Sequence, residues 1–380
     1  GKSMDFSIRL IDPKKELKKF IKAQWNFYRN DENFVPPLLA DQLKTLNTEK
    51  NPFFKHSEIA FFIAENKSGE IIGRIAAIKN DNHNATHKDK VGFFGFFECI
   101  NEQGVADALF TEAEKWLKSK GLDTIRGPVN LSLNDTIGLL IEGFDSPPVV
   151  LMTYNPQYYI TLIENAGFSK AKDLYAYLLD KEDYLTEKLI RLQSAIRERY
   201  KITVRNVAFR DKVQFRKDVE TLKEIYNGAW EPNWGFVKMT DEEFDFLAAD
   251  LKQIAEPDFT FIAEIDGKPA GFVLALPDIN VCLKYNKSGG LLTGIWHLLT
   301  KRKKINLVRI IVLGVLPEFQ KTGIDSVLYY ELGVRSEKHG IRYGEASWIL
   351  EDNVMMNRAL QTTVKGKLYK KYRIYDRPIK

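Results

Sequence analysis

Two widely separated stretches of this chain read as the same β-hairpin. In the first, Ile59-Ala60-Phe61-Phe62-Ile63-Ala64-Glu65 and Ile71-Ile72-Gly73-Arg74-Ile75-Ala76-Ala77-Ile78 flank a turn at Ser68-Gly69. In the second, Phe259-Thr260-Phe261-Ile262-Ala263-Glu264 and Ala270-Gly271-Phe272-Val273-Leu274-Ala275-Leu276 flank a turn at Asp266-Gly267. Apolar runs joined by a glycine-containing turn are the mark of paired antiparallel strands. The surroundings repeat as well. A short strand (6–11 and 202–207) and then charged helical sequence precede each hairpin. A strand, a polar turn and a long amphipathic helix follow it, at 105–119 and at Ile324–Lys338, with Gly121 and Gly340 as helix stops. In the first of these helices Ala106, Leu109, Phe110, Ala113 and Leu117 share a face. Each half then closes with a strand, a helix and a tyrosine-rich strand, Tyr175-Ala176-Tyr177 in one and Tyr372-Arg373-Ile374-Tyr375 in the other.

A repeat of this length means two copies of one supersecondary unit, and 380 residues suffice for two proper cores. The order β-α-β-β-β-α-β-α-β, read twice, predicts an α/β (α+β) fold. Each domain is a mixed, mostly antiparallel central sheet flanked by helices, at 4–180 and 181–380. A charged helix over 183–200 is expected to connect them. No Gly/Ser-rich linker separates the halves, so the domains are expected to pack together.

Composition narrows the function classes. The chain is 44% hydrophobic and 28% charged, an ordinary balance for a globular protein. Its formal net charge of +5 is too modest for a nucleic-acid-binding tail, and no nucleic-acid partner is expected. Cys99 and Cys282 are the only cysteines, which excludes a disulfide framework and a cysteine zinc site and fits a reducing, cytoplasmic setting. The N-terminus is polar, without a secretory signal pattern, and no apolar run approaches the roughly 20 residues that span a bilayer.

Chemistry concentrates at Val315-Leu316-Pro317-Glu318-Phe319-Gln320-Lys321-Thr322-Gly323-Ile324-Asp325, which ends a buried strand, turns and starts a helix. Backbone N–H groups converging at a helix N-terminus, with the positive end of its dipole behind them, suit a pyrophosphate. This order resembles the acyl-coenzyme A loop of the GCN5-related N-acetyltransferase (GNAT) superfamily, V-x-P-x-x-[Q/R]-x-x-G-x-[G/A]. Asp325 is the departure, standing where the family has a small residue. The resemblance implies that the main chain of Leu313, Gly314 and Val315 receives the pantetheine arm, and that Gln320, Lys321, Thr322, Gly323 and Ile324 cradle the phosphates. It implies acyl-coenzyme A as co-substrate, no metal, and a cofactor contact from Asn353. The tyrosine that protonates the thiolate in the family is replaced by Thr362, four residues before Gly366. Glu351 is the nearest candidate base, its other reading being a carboxylate at a helix N-terminus; Tyr372 is the spare candidate acid, its other reading a core tyrosine.

The first half lacks this loop. Its turn, Glu98-Cys99-Ile100-Asn101-Glu102, is acidic and would repel phosphate, so this half is inferred not to bind coenzyme A. Its polar groups lie later, in Arg126-Gly127-Pro128-Val129-Asn130-Leu131-Ser132-Leu133-Asn134-Asp135 and Tyr154-Asn155-Pro156-Gln157-Tyr158-Tyr159. Asn130, Ser132, Asn134 and Tyr158 are candidates for the wall of an acceptor pocket; the bland alternative is local turn chemistry. These stretches, with Asn33-Phe34-Val35-Pro36-Pro37 and Asn51-Pro52-Phe53-Phe54, resemble an uncharacterised bacterial family of two-domain GNAT-like proteins over nearly the whole chain. That implies an acyltransferase fold with no settled substrate; a small or lipid-like amine acceptor is the expectation, since some bacterial GNAT-like proteins N-acylate long-chain bases. The alternatives from other classes are a non-catalytic GNAT-fold binding module and an aminoacyl-tRNA-dependent transferase of related fold.

Two further segments stand out. Gly290 to Lys304 places Leu291, Ile295, Leu298 and Leu299 on one helical face ahead of Lys301-Arg302-Lys303-Lys304. It reads either as a segment lying on the inner face of the membrane, a peripheral contact, or as a core-packed helix with a solvated basic end. His83 and His87, four apart, read as loop residues rather than as metal ligands, since no third ligand is near.

Overall fold

The computed structural model describes residues 5–380, so the start of the first expected domain at residue 4 lies outside the described residues. In chain order the first half supplies β1 (Phe6–Leu10), β2 (Ser57–Asn66), β3 (Ile71–Asn80), β4 (Val91–Cys99), β5 (Thr124–Gly127), β6 (Val129–Asn130), β7 (Thr136–Ile137), β8 (Leu139–Glu142) and β9 (Ser169–Asp180). The second half supplies β10 (Ile202–Asn206), β11 (Thr260–Ile265), β12 (Lys268–Pro277), β13 (Leu307–Val315), β14 (Tyr343–Leu350) and β15 (Lys367–Pro378). Both predicted hairpins form, as β2–β3 and β11–β12.

The repeat extends to register. β1–β2–β3–β4 and β10–β11–β12–β13 are antiparallel runs. Each run then meets a parallel neighbour, β5 and β14 respectively. That mixed, mostly antiparallel sheet is the predicted architecture. The long helices follow at Gln103–Ser119 and Ile324–Lys338, and the glycines beyond them, Gly121 and Gly340, take positive φ as helix stops do.

The chain divides into two compact units, but not by one cut near residue 180. The first comprises residues 1–173, 282–300 and 370–380; the second comprises 174–281 and 301–369. Each unit is thus completed by a closing strand drawn from the other half of the sequence. In the first unit β5 pairs with Tyr375–Pro378 of β15, and β8 pairs with Lys371–Arg373. In the second, Leu174–Asp180 of β9 pairs with β14. A closing strand exchanged between repeats leaves no mark on a hydrophobic pattern, because it packs the same face in either place. The expected connecting helix forms over Glu187–Tyr200, N-capped by Thr186, and belongs to the second unit, where Arg197 pairs with Glu331 of helix Ile324–Lys338 at 2.9 Å.

The first core gathers Phe94, Phe97, Phe110, Phe168, Tyr159 and Tyr375 around the Gln103–Ser119 helix. The second gathers Phe259, Phe261, Val273, Leu313, Val327 and Leu328 under the Ile324–Lys338 helix. His83 departs from expectation. It lies in a helix, Asp81–His87, capped by Asn80, and is buried against Phe93 with its pKa lowered to about 4 by burial. Asn80 supplied the capping signal that overrode the loop-like Asn and Thr.

Candidate active site

In the second unit β13 parts from its parallel neighbour. The β13–β14 pairing runs from Leu307 with Tyr343 to Ile310 with Ala346 and goes no further. Beyond that point Val312, Leu313, Gly314 and Val315 stay paired to β12 on one side only. A β-bulge helps to cause the split: between Leu274 and Ala275 the register slips, and Ile311 is the extra residue. β14 bulges as well, at Trp348, whose φ is +57°. The two strands therefore open as a V, and the unpaired edge of residues 311–315 offers its alternate N–H and C=O groups to an extended ligand. Gly314 is needed for a second reason. A Cβ there would lie 2.8 Å from the Trp230 ring at the end of helix Lys212–Trp230, which covers that face.

Past the open edge the chain makes a short 3-10 turn, Pro317–Thr322, then Gly323 at φ +83°, then helix Ile324–Lys338. Glycine is required at 323 both by that φ and by Ile196, whose Cδ1 would be 2.9 Å from a Cβ. The turn's side chains are occupied. Gln320 donates to the Val315 carbonyl at 3.2 Å. Thr322 donates to the Phe319 carbonyl at 2.6 Å and accepts from the Ile324 N–H at 3.3 Å. Asp325 is half-buried in the first turn of the helix, where the Ser326 N–H donates to the Gly323 carbonyl at 3.0 Å. Burial raises the Asp325 carboxyl pKa, which the nearby main-chain N–H groups partly offset. Lys321 is exposed. The helix N-terminus is thus formed as predicted, with the Asp325 carboxylate in its first turn.

The other wall of the opening follows β14. Asn353 caps helix Val354–Arg358 by accepting from the Met356 N–H at 3.2 Å. Tyr329 of the Ile324–Lys338 helix reaches Met356 Sδ at 3.5 Å, joining the elements that follow the two parted strands. Glu351 sits half-buried in the turn between β14 and that capped helix. Tyr372 is fully buried in the first unit, where it pairs with Leu140, and is placed as a core tyrosine.

One polar set was not anticipated. Arg309 and Glu345 are register partners one residue before the strands part, and both are buried. Arg309 donates through Nε to Ser347 Oγ at 2.8 Å and lies over the Trp348 ring at 4.6 Å. Tyr369 donates to Glu345. The signal was available: an arginine inside Leu307-Val308-Arg309-Ile310-Ile311 and a glutamate inside Gly344-Glu345-Ala346 interrupt strands that otherwise read as buried.

The first unit has the same V and fills it with its own chain. β4 and β5 pair only from Val91 to Phe93, and β4 bulges at Phe96, φ +55°. β6 then lies against the opened edge. A Cβ on Gly95 would fall 2.0 Å from the Val129 carbonyl oxygen, and Asn130 Oδ1 accepts from the Phe96 N–H at 2.8 Å. Ser132 and Asn134 form a turn: Ser132 Oγ donates to Asp135 at 2.8 Å and accepts from the Asn134 N–H at 3.1 Å. Tyr158 donates to the Cys99 carbonyl at 2.6 Å. Next to it lies a buried cluster in which Tyr28 and Tyr159 donate to the two oxygens of Glu98, at 2.8 and 2.9 Å. Burial pushes the Glu98 carboxyl up to about 7 against the pull of Arg74 and the two hydroxyls.

Among the described residues, Glu256, Asp258 and His339 approach metal-ligand spacing. They are engaged as ion pairs, His339 with Asp258 at 2.7 Å and Arg302 with Glu256 at 3.7 Å.

Comparison with known proteins places this geometry. No protein-family model matches the chain. Protein YghO of Escherichia coli K12 is 35% identical over 380 aligned residues, covering 98% of this chain and 95% of YghO. The bacterial ceramide synthase of Caulobacter vibrioides is 34% identical over 388 aligned residues, covering 99% and 98%. The chain belongs to the family of these two proteins. Its fold is that of tandem GNAT proteins. The tandem GNAT protein of the clavulanic acid biosynthesis pathway superposes with a TM-score of 0.58 at 12% identity over 99% of both chains. A GNAT protein from Sphaerobacter thermophilus gives 0.52 at 12% identity over 100% of this chain and 98% of its own. At that identity the likeness is one of fold. In this member of the YghO and ceramide synthase family, the second unit carries the open V and the first carries a filled one.

Proposed function

We propose that this chain is an N-acyltransferase that moves an acyl group from the thioester of acyl-coenzyme A to the amine of a lipid-like acceptor, a long-chain base. The observation that carries the reading is the parting of β13 from β14 after Ile310, directly ahead of the Gly323 turn. The 34% identity to a bacterial ceramide synthase, over nearly its whole length, supports the acceptor class.

In this reading the pantetheine arm lies along residues 312–315 as a partial strand, and its phosphates sit at the N-terminus of Ile324–Lys338 with Lys321 beside them. The thioester carbonyl is held on a main-chain N–H of the unpaired edge, where charge develops as the amine adds. The amine nitrogen attacks the carbonyl carbon, the carbon–sulfur bond breaks, and the thiolate leaves. Glu345, at the apex of the V, is the assigned acceptor of the amine proton, with Glu351 the alternative at the mouth. Tyr369, bonded to Glu345, keeps that carboxylate oriented. The first unit, its own V closed by β6, holds no donor.

One observation favours a rival reading, a non-catalytic module: Asp325 places a half-buried carboxylate in the first turn of the helix whose N-terminus a diphosphate would use. The two are separated by thiol release. Acetyl-, octanoyl- and palmitoyl-coenzyme A are offered with and without a long-chain 2-amino alcohol. Amine-dependent release of free thiol, lost in Glu345→Gln while calorimetry still registers donor binding, supports the transferase. A folded sample that binds none of the three donors and releases no thiol leaves the module.

A further inference from the structure

We infer that helix Leu291–Thr300 is a docking surface for an anionic lipid bilayer. Its apolar side faces outward. Leu292, Leu299 and Trp296 are 82%, 72% and 58% exposed, and Leu291 and Ile295 are 49% and 45% exposed. At about 100° per residue these five cover one contiguous arc of roughly 140°. Scattered exposed apolar residues need no explanation; five on one arc of one short helix do.

The exposure is built rather than frayed. The opposite side is anchored within the first unit through Gly294, where a Cβ would lie 2.7 Å from Leu38 and 3.0 Å from the Asn286 side chain. Buried Asn286 accepts from Thr293 Oγ1 at 2.7 Å and donates to the Gly290 carbonyl at 2.9 Å. The Leu39 N–H donates to the Gly289 carbonyl at 2.9 Å. A helix pinned by its small and polar side cannot roll its leucines inward.

Charge decides the occupant. From Ile279 to Lys304 the sequence carries Lys284, Lys287, Lys301, Arg302, Lys303 and Lys304 and no Asp or Glu. An apolar arc with a tryptophan, flanked in sequence by six cations of which Arg302 also pairs with Glu256 at 3.7 Å, complements anionic headgroups over an acyl boundary. A second copy of this chain would set like charges against each other. No helix among the described residues is long and apolar enough to cross a membrane, so the contact is with the surface.

The test needs no turnover, so it stands or falls apart from the acyl-transfer reading. The full chain is floated with vesicles of phosphatidylglycerol and phosphatidylethanolamine, and with vesicles of phosphatidylcholine alone. Expected are binding to the anionic vesicles, loss of it at high salt, and partitioning at least tenfold weaker in Leu292→Ser/Leu299→Ser and in Lys301→Ser/Arg302→Ser/Lys303→Ser/Lys304→Ser. All six side chains are exposed except Lys301, which is half-buried, so both variants should keep the wild-type circular dichroism. Quenching by brominated lipid should fall in Trp296→Phe. Absence of wild-type flotation at low salt overturns the proposal. So does equal binding by both variants, or a wild-type dimer in gel filtration that Leu292→Ser/Leu299→Ser dissociates.

Discussion

Asp325 sets the terms on which the second unit can receive a diphosphate. Its carboxylate stands in the first turn of the helix, and burial holds its pKa above the ordinary range. Removing it takes a like charge away from the diphosphate, so Asp325→Ala should tighten coenzyme A by about tenfold, roughly 1.4 kcal/mol. The lost attraction between carboxylate and helix dipole should cost at most about 1 kcal/mol of stability. Wild-type affinity should also rise as pH falls toward the raised carboxyl pKa, where the aspartate takes up a proton, while Asp325→Asn should show no such slope; calorimetry at a series of pH values reads both. Glu98 makes a stability prediction of the same kind. Its pKa is about 7 folded against 4.5 unperturbed. Below 4.5 both states hold the proton and the difference vanishes. Between there and about 7 the folded protein keeps a proton that the unfolded chain has released. Unfolding free energy should therefore fall as pH rises through that window, by at most about 1.4 kcal/mol per pH unit, and then level. In Glu98→Gln this share of the slope should be missing from urea denaturation curves measured across it.

At the scale of elements, the V between β13 and β14 depends on a bulge and on two glycines. Gly314→Val would drive a side chain into Trp230, and the helix ending there would have to lift. A loss of about 1–3 kcal/mol and a Tm lower by several degrees are expected. Gly323→Val meets Ile196 and a φ of +83° together, so donor affinity and turnover should fall in parallel; a variant that folds and keeps both would remove Gly323 from the donor site. Both glycines could be chosen from sequence because a strand, a turn and a helix follow one another there without interruption. The hairpins, the two long helices and their stops were legible for the same reason: their periods and turn residues are local. Other features were not local. Asn130 reads as a pocket residue until β6 is seen lying on the edge of β4. Glu98 reads as part of an acidic turn until Tyr28 and Tyr159 close over it. Tyr372 reads as a spare acid until burial places it in the first core. Arg309 and Glu345 become a pair only when β13 and β14 are in register.

At the scale of the whole molecule, the exchanged closing strands make the chain indivisible at the point where its sequence repeat divides. The first unit needs residues 370–380. There Tyr372, Ile374 and Tyr375 are buried, Arg373 makes a two-pronged pair with Asp173 at 2.7 and 3.0 Å, and Arg377 reaches Glu114 at 2.7 Å. The second unit needs Leu174–Asp180, where Tyr177 and Leu179 are buried and Asp180 pairs with Arg342 at 2.9 Å. A cut at residue 180 removes the closing strand from each. Fragments 1–180 and 181–380, made separately, should each lack a cooperative thermal transition and expose apolar surface to a hydrophobic dye. A shorter deletion sharpens the point. A chain ending at Tyr369 keeps every residue of the second unit and loses only the eleven that complete the first. Hydrogen exchange should find the amides of β2, β3 and β4 deprotected in that chain, while those of β12 and β13 keep their protection. Two independently folding halves would instead give fragment 1–180 a sharp transition of its own, and the exchange of strands would then be dispensable to the fold.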